Sequence, residues 1–271
     1  SGFVVRESSR VVSNWRATGT LADELAINGI VGIEGVDTRA LTRHLREQGS
    51  MRMGIFSGSD SDNLEGLIKA VAQSPVMLGA SFTDQVSTAE SYVVTAKGQK
   101  KATCVAVDFG IKSMTPQRLS ERGIEVYVVN ANTKWEQIVA LKPNGIFLSN
   151  GPGDPPSAVD AVGLVQKALK AKMPLFGICF GNQILGRALG LDTYKMQYGH
   201  RGINQPVKDL TTGKVEITAH NHGFAVRAPN SRDFDTPFGR ARISHICLND
   251  NVVEGIELLD LTAFSVQYHP E

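Results

Sequence analysis

Cysteine is scarce in this chain: three residues in 271, Cys104, Cys179 and Cys247, none with a second cysteine at metal-ligand or framework spacing. That excludes a disulfide-stapled scaffold and leaves each thiol to be read alone. Net charge is almost missing too, with 28 Lys plus Arg against 27 Asp plus Glu, so no basic stripe offers the footprint a phosphate backbone requires. Nucleic acid is not expected as a partner. Apolar runs such as Ala102 to Val107 fall far short of the roughly 18 to 20 residues that cross a bilayer, and Ser1 to Arg10 has no signal-peptide pattern. No membrane association is expected, and the expected location is cytoplasmic. Internal repeats and low-complexity tracts are absent, and no His, Asp and Cys grouping has metal spacing, so no metal is expected in the chain. What remains is a soluble globular balance, 42% hydrophobic and 20% charged, long enough for one large domain or two ordinary ones.

From about Lys101 short β-rich runs alternate with helical stretches, which predicts α/β architecture: a doubly wound, mostly parallel sheet with helices on both faces. Strands are expected at Ala102 to Asp108, Ile124 to Asn130, Gly145 to Asn150 and Leu175 to Cys179. Helices are expected at Thr115 to Arg122, Lys134 to Leu141, Ala158 to Lys172 and Asn182 to Leu189, closed by breakers such as Gly123, Pro143 and Gly190. Val215 to Ala219, Arg242 to Leu248, Val253 to Leu258 and Ala263 to Tyr268 read as a more antiparallel extension. Residues 1–90 look like a smaller α/β domain, with helices at Leu21 to Asn28, from an N-cap at Asp37 through Glu47, and at Asn63 to Gln73, and extended runs at Val31 to Gly35 and Met51 to Phe56. The polar, poorly periodic stretch 91–101 reads as a linker, and 102–271 as the main domain.

Cys104 and Cys247 sit in apolar runs and read as small buried hydrophobes. Cys179 differs. Gly177-Ile-Cys-Phe-Gly181 falls where a buried strand turns into a helix, with glycine two residues to either side of a nucleophile. Such an elbow lifts the sulfur out of the carboxyl end of the sheet, and the following helix points its amino terminus at it, which favours thiolate. A base is supplied by the terminal run Phe264-Ser-Val-Gln-Tyr-His-Pro-Glu271: the period of two places His269 and Glu271 on one face, with Pro270 fixing the backbone between them. A Cys179, His269, Glu271 triad at the strand carboxyl ends follows. Oxyanion donors are offered by the Phe180 amide and the Gly151-Pro-Gly153 turn. Of the other histidines, His222 is the one whose position invites a role, with a loop-stabilising hydrogen bond favoured over catalysis.

Gly177-Ile-Cys-Phe-Gly-Asn-Gln183, Asn150-Gly-Pro-Gly-Asp-Pro155 and Tyr268-His-Pro-Glu271 together resemble the class I (triad) glutamine amidotransferases, in that family's order. Within it, Val107 to Lys112, Gly199 to Val207, Asn221 to Val226 and the amino-terminal Val36 to Arg43 are similar to the small subunits of carbamoyl phosphate synthetases, so the resemblance covers nearly the whole chain. It implies glutamine hydrolysis to glutamate, with ammonia passed through a tunnel to a large synthetase subunit for carbamoyl phosphate synthesis, serving arginine and pyrimidine formation. It implies no cofactor in this chain, ATP and a divalent metal being expected on the large subunit. By matching position, Gly151, Gly153, Phe180, Gln183, Asn221, Gly223 and Phe224 line the glutamine site. Gln183 lies one helical turn from Cys179, so its amide is expected to face the substrate's polar end. Asn182 stands where the family usually has His, and Met114 where it commonly has Asn. The family's amino-terminal domain also begins upstream of Ser1, so the first domain is expected to be incomplete here. Two rival readings are a stand-alone cysteine γ-glutamyl hydrolase and a catalytically silent structural subunit; the amino-terminal domain argues against the first and the intact triad against the second.

Overall fold

The computed structural model describes residues 2–58 and 63–270. The chain divides into two compact units, Ser1–Val76 and Met77–Glu271. In the first unit, strands β1 (Gly2–Val4) and β2 (Val31–Ile33) pair in parallel around helix α1 (Leu21–Ile27), followed by α2 (Thr38–Gln48) and α3 (Leu64–Gln73). Each helix starts where its sequence supplies a cap. Thr20 and Asp23 form a reciprocal capping box on α1, Asp37 Oδ1 accepts from the amides of Arg39 (3.1 Å) and Ala40 (2.9 Å), and Asn63 accepts from Gly66 at 3.0 Å. The run Met51 to Phe56, expected to be extended, finds no ladder partner among the described residues and stays irregular.

The second unit runs α4 (Thr83–Val86), β3 (Tyr92–Val94), β4 (Ala102–Asp108), α5 (Met114–Ser120), β5 (Ile124–Asn130), α6 (Trp135–Ala140) and β6 (Gly145–Leu148). It continues with α7 (Val159–Lys170), β7 (Leu175–Ile178) and α8 (Phe180–Ala188). The remaining strands are β8 (Thr193–Asp209), β9 (Val215–Val226), β10 (Asp233–Thr236), β11 (Gly239–Cys247), β12 (Val253–Leu258) and β13 (Ala263–Val266). Among the described residues these strands make one sheet in the order β3-β5-β4-β6-β7-β13-β12-β11-β8-β9, with β10 on β11. Its centre, β5-β4-β6-β7-β13, is parallel, and from β13 onward it turns antiparallel.

β4 shows why the centre is covered on both sides. Val105 and Val107 enter one core with Leu148, Ile184 and Leu185, while Ala106 enters another with Val126, Val128, Phe147 and Ile178. Helices α7 and α8 cover the first face and α5, through Leu119, the second. Full burial of each such side chain is worth about 1.5–3 kcal/mol, so the central strands, whose ends carry the site, are the best-anchored part of the unit.

Two expectations need correction. The stretch 91–101, read as a linker, contains β3, which pairs antiparallel with β5; its Tyr92-Val-Val94 run supplies an edge strand, and the division between units falls at Val76. The long hairpin β8–β9 was not expected beyond Val215 to Ala219. Register shifts between Lys195 and His200 and between Gly202 and Gln205 break its alternation, which hides the strand from a period-two reading. No helix among the described residues is long and apolar enough to cross a membrane.

Candidate active site

Cys179 lies between the end of β7 at Ile178 and the start of α8 at Phe180, a helix that begins two residues earlier than expected from sequence. Its backbone has φ +55° and ψ −100°, a strained conformation for a residue with a side chain, pinned by the Cys179 amide donating to Val266 O at 2.8 Å. The flanking glycines are sterically required. A Cβ on Gly177 would lie 2.7 Å from the Gly181 backbone, and one on Gly181 would lie 2.3 Å from Leu148 O. Phe180 packs edge-on against Phe109 with ring centroids 5.5 Å apart, holding the first turn of α8 against the β4 end. The first amides of α8, Phe180 N–H among them, have no upstream helical carbonyl and give the end of the helix at which Cys179 stands a partial positive charge.

A cavity of about 440 Å³ brings Cys179 and His269 together with Gly151, Asn221, Lys112 and His220 in its walls. His269 is held by its own backbone: its amide donates to Ala219 O at 2.9 Å, an isolated antiparallel bridge from the end of β13 to β9. Glu271, expected as the third triad member, lies outside the described residues. Of the expected glutamine-site residues, Gly151 and Asn221 line the cavity itself; Gly153 bridges Ser81, Phe180 follows Cys179 directly at the start of α8, and Gly223 and Phe224 follow Asn221 along β9. Gln183 is buried, and both donor positions of its amide are used, on Phe224 O at 2.8 Å and Gln267 Oε1 at 3.1 Å. The group it can present to a ligand is therefore its carbonyl oxygen, an acceptor suited to an ammonium. Asn182 is likewise buried, donating to Gln267 Oε1 at 3.1 Å and accepting from Ser265 Oγ at 2.9 Å, so it belongs to the polar layer beneath the elbow.

The other two thiols are inert by comparison. Burial pushes Cys104 up to about 12 and Cys247 up to about 11, so both stay protonated near neutral pH. Sequence reasoning missed several residues of the site. Lys112, Asn150 and Arg201 all stood inside quoted motifs without a role; Lys112 and Asn150 line the cavity, and burial lowers the Arg201 guanidinium, opposed by the charge of the nearby Cys179. Also unforeseen is a buried cluster of His200, His220, His222 and Glu254, assembled from β8, β9 and β12, where the sequence had suggested no grouping of metal-ligand type. His222, expected to stabilise a loop, lies instead within strand β9, where its Nδ1 bonds to Phe224 O at 2.9 Å. Burial, with the positive charge of His200 adding to it, lowers His222 to about 3 and His220 to about 4, leaving both rings neutral. Burial alone would also lower His200, but hydrogen bonds and charge from Glu254 and Asp250 outweigh it and raise it. Burial raises Glu254 to about 7.

Two family models match the chain: glutamine amidotransferase class-I over residues 105–271, and the carbamoyl-phosphate synthase small chain, CPSase domain, over residues 1–55. The chain is 61% identical to the carbamoyl phosphate synthase small chain of Streptomyces coelicolor, over 100% of this chain and 71% of that protein. To its counterpart in Mycobacterium leprae it is 56% identical, over 100% of this chain and 73% of the relative. Among solved structures, a putative GMP synthase component from Thermoplasma acidophilum superposes with TM-score 0.51 at 18% identity, covering 62% of this chain and 83% of that one, which supports the fold alone. Full-length similarity at this level, joined to an amidotransferase match across the unit that holds Cys179, means that the chain belongs to the carbamoyl phosphate synthase small chain family and carries a class-I glutamine amidotransferase domain.

Proposed function

We propose that the chain hydrolyses L-glutamine to glutamate and ammonia through a cysteine thioester and delivers the ammonia to a large synthetase subunit for carbamoyl phosphate synthesis, in the service of arginine and pyrimidine formation. The observation that carries this reading is Cys179, held at φ +55° at the amino terminus of α8 and facing the same cavity as His269.

In this reading the Cys179 thiolate attacks the side-chain amide carbon of glutamine, and the carbonyl oxygen becomes an oxyanion that accepts from the Phe180 amide and the Gly151 to Gly153 turn. His269 gives its proton to the departing nitrogen, the C–N bond breaks, and ammonia leaves behind a γ-glutamyl thioester. Water, deprotonated by His269, then attacks the thioester carbon; the C–S bond breaks, and glutamate and the free thiolate are restored. Glu271 orients the imidazole, and Gln183, Asn221, Gly223 and Phe224 hold the amino acid end. No cofactor takes part in these steps, ATP and a divalent metal belonging to the partner's half of the reaction.

The test is Cys179→Ala in the assembled complex. Glutamine-dependent synthesis is expected to fall at least about 10³-fold, while synthesis from added ammonium persists. Loss of both activities in a folded, assembled variant would contradict the assignment.

A further inference from the structure

The histidine cluster beside the cavity is built in a way that the glutaminase steps do not use. Its four side chains are buried, and the ligand-type atoms of His200, His220, His222 and Glu254 all lie within 4.8 Å of one another. The adjacent separations are 3.1 Å for His220 Nδ1 to His222 Nε2, 3.1 Å for His200 Nδ1 to Glu254 Oε1, 3.6 Å for His220 Nδ1 to Glu254 Oε2 and 3.8 Å for His222 Nε2 to Glu254 Oε1. Metal–nitrogen and metal–oxygen bonds of about 2.0–2.1 Å in a tetrahedron put neighbouring donors about 3.3 Å apart, so the three ring nitrogens and the two Glu254 oxygens already stand near the spacing such a site needs.

The outer hydrogen bonds fix which nitrogen of each ring faces inward. His222 Nδ1 meets the Phe224 carbonyl at 2.9 Å and His200 Nε2 meets the Asp250 carboxylate at 2.8 Å, both acceptors only, so those nitrogens carry the protons. His220 Nε2 lies 2.7 Å from Thr218 Oγ1, whose own hydroxyl donates to Gln205 O at 3.0 Å, so His220 is the donor there. His220 Nδ1 and His222 Nε2 therefore point lone pairs at each other. Glu254 Oε2 is fully buried and makes no hydrogen bond. Facing lone pairs and a buried carboxylate oxygen without a hydrogen bond are costly arrangements by themselves, and each becomes favourable around a cation. Each inward imidazole is also backed by the outer partner that metal-ligating histidines commonly have.

We propose that His200 Nδ1, His220 Nδ1, His222 Nε2 and the Glu254 carboxylate bind one divalent transition-metal ion of the zinc class. Imidazole donors select zinc, cobalt or nickel over magnesium and calcium, whose ligands are oxygens. His220 lines the cavity, which gives an ion its path inward. The site also bears on the neighbouring chemistry. His220 and His222 alternate along β9 with Asn221, and Ala219 anchors the His269 backbone, so a bound ion holds in place the strand that presents all of them.

The full-length chain in its assembled complex, stripped with a chelator and dialysed against zinc, is expected to take up one equivalent. Cobalt in its place is expected to give the strong visible absorption of a tetrahedral site. Hydrogen exchange over 219–223 should slow on metal addition. Thr218→Val, which removes only an outer partner, is expected to weaken zinc binding about 10- to 100-fold, and Glu254→Gln or His222→Asn to weaken it further. A folded wild-type chain with no saturable zinc binding would overturn the proposal. Binding left unchanged by Thr218→Val and by either folded ligand variant would overturn it too, showing zinc held elsewhere. These readouts are independent of glutamine turnover, so their failure would leave the glutaminase reading standing.

Discussion

Cys179 holds a side chain where the backbone favours none. At φ +55° and ψ −100° a residue with a Cβ is strained by about 1–3 kcal/mol, and the strain is what aims the sulfur at the cavity. Cys179→Gly is therefore expected to be more stable to chemical denaturation than Cys179→Ala, by about 1–3 kcal/mol, although both lose the nucleophile. An alanine variant as stable as the glycine variant would mean that the position is relaxed. The flanking glycine makes the complementary point. In Gly181→Ala the new methyl meets the Leu148 backbone at 2.3 Å, with no flexible side chain to move aside, and a loss of about 3 kcal/mol or more is expected. Gly163→Ala on α7, where nothing lies within 4 Å, should instead gain about 0.5–1 kcal/mol. Comparable melting shifts in the two would contradict the close approach. At this scale the sequence was highly informative: a nucleophile between two glycines is a steric pattern that can be read without coordinates. The inward nitrogens of His200, His220 and His222 were not legible, because a tautomer depends on partners such as Phe224 O and Asp250 that sequence alone does not bring near.

Elements whose signals are local were readable to within a residue or two. β4, β5 and β12 occupy the ranges their apolar runs mark, Asp37 caps the helix it precedes, and Asn63, read as the first residue of its helix, is its cap. The cap on α2 yields a prediction at its own scale. Asp37→Ala removes the acceptor for the Arg39 and Ala40 amides and should cost α2 about 1 kcal/mol. Hydrogen exchange at those two amides is then expected to speed up roughly fivefold; unchanged protection would mean that the carboxylate does not hold the turn. Elements shaped by their neighbours were missed. β3 is only three residues long and exists because β5 offers an edge, while β8 bends through two register shifts that interrupt its alternation. Gln183 shows the same limit within a correctly read element. Its place one turn after Cys179 was right, but the Phe224 carbonyl and Gln267 that take up its donors come from β9 and the strand end beyond β13.

For the amidotransferase unit as a whole, topology does the assembling. The ends of β6, β7 and β13 lie side by side in the parallel centre, and β9 closes over them through the Ala219 to His269 bridge, so residues from 110 to 269 share one cavity. Of the residues that the motifs marked, Cys179, His269, Gly151 and Asn221 meet there, whereas the zinc-class cluster, drawn from β8, β9 and β12, had no sequence period to announce it. The central claim is that Cys179 alone among three cysteines is a glutamine-directed nucleophile. The most direct test is peptide mass spectrometry of the full-length chain in its complex after exposure to a glutamine-mimicking electrophile near neutral pH, with and without excess glutamine. Because burial holds Cys104 at about 12 and Cys247 at about 11, stoichiometric labelling of Cys179 alone, suppressed by glutamine, is the expected result. Labelling of Cys104 or Cys247 in preference to Cys179, or labelling of Cys179 that glutamine does not suppress, would contradict it.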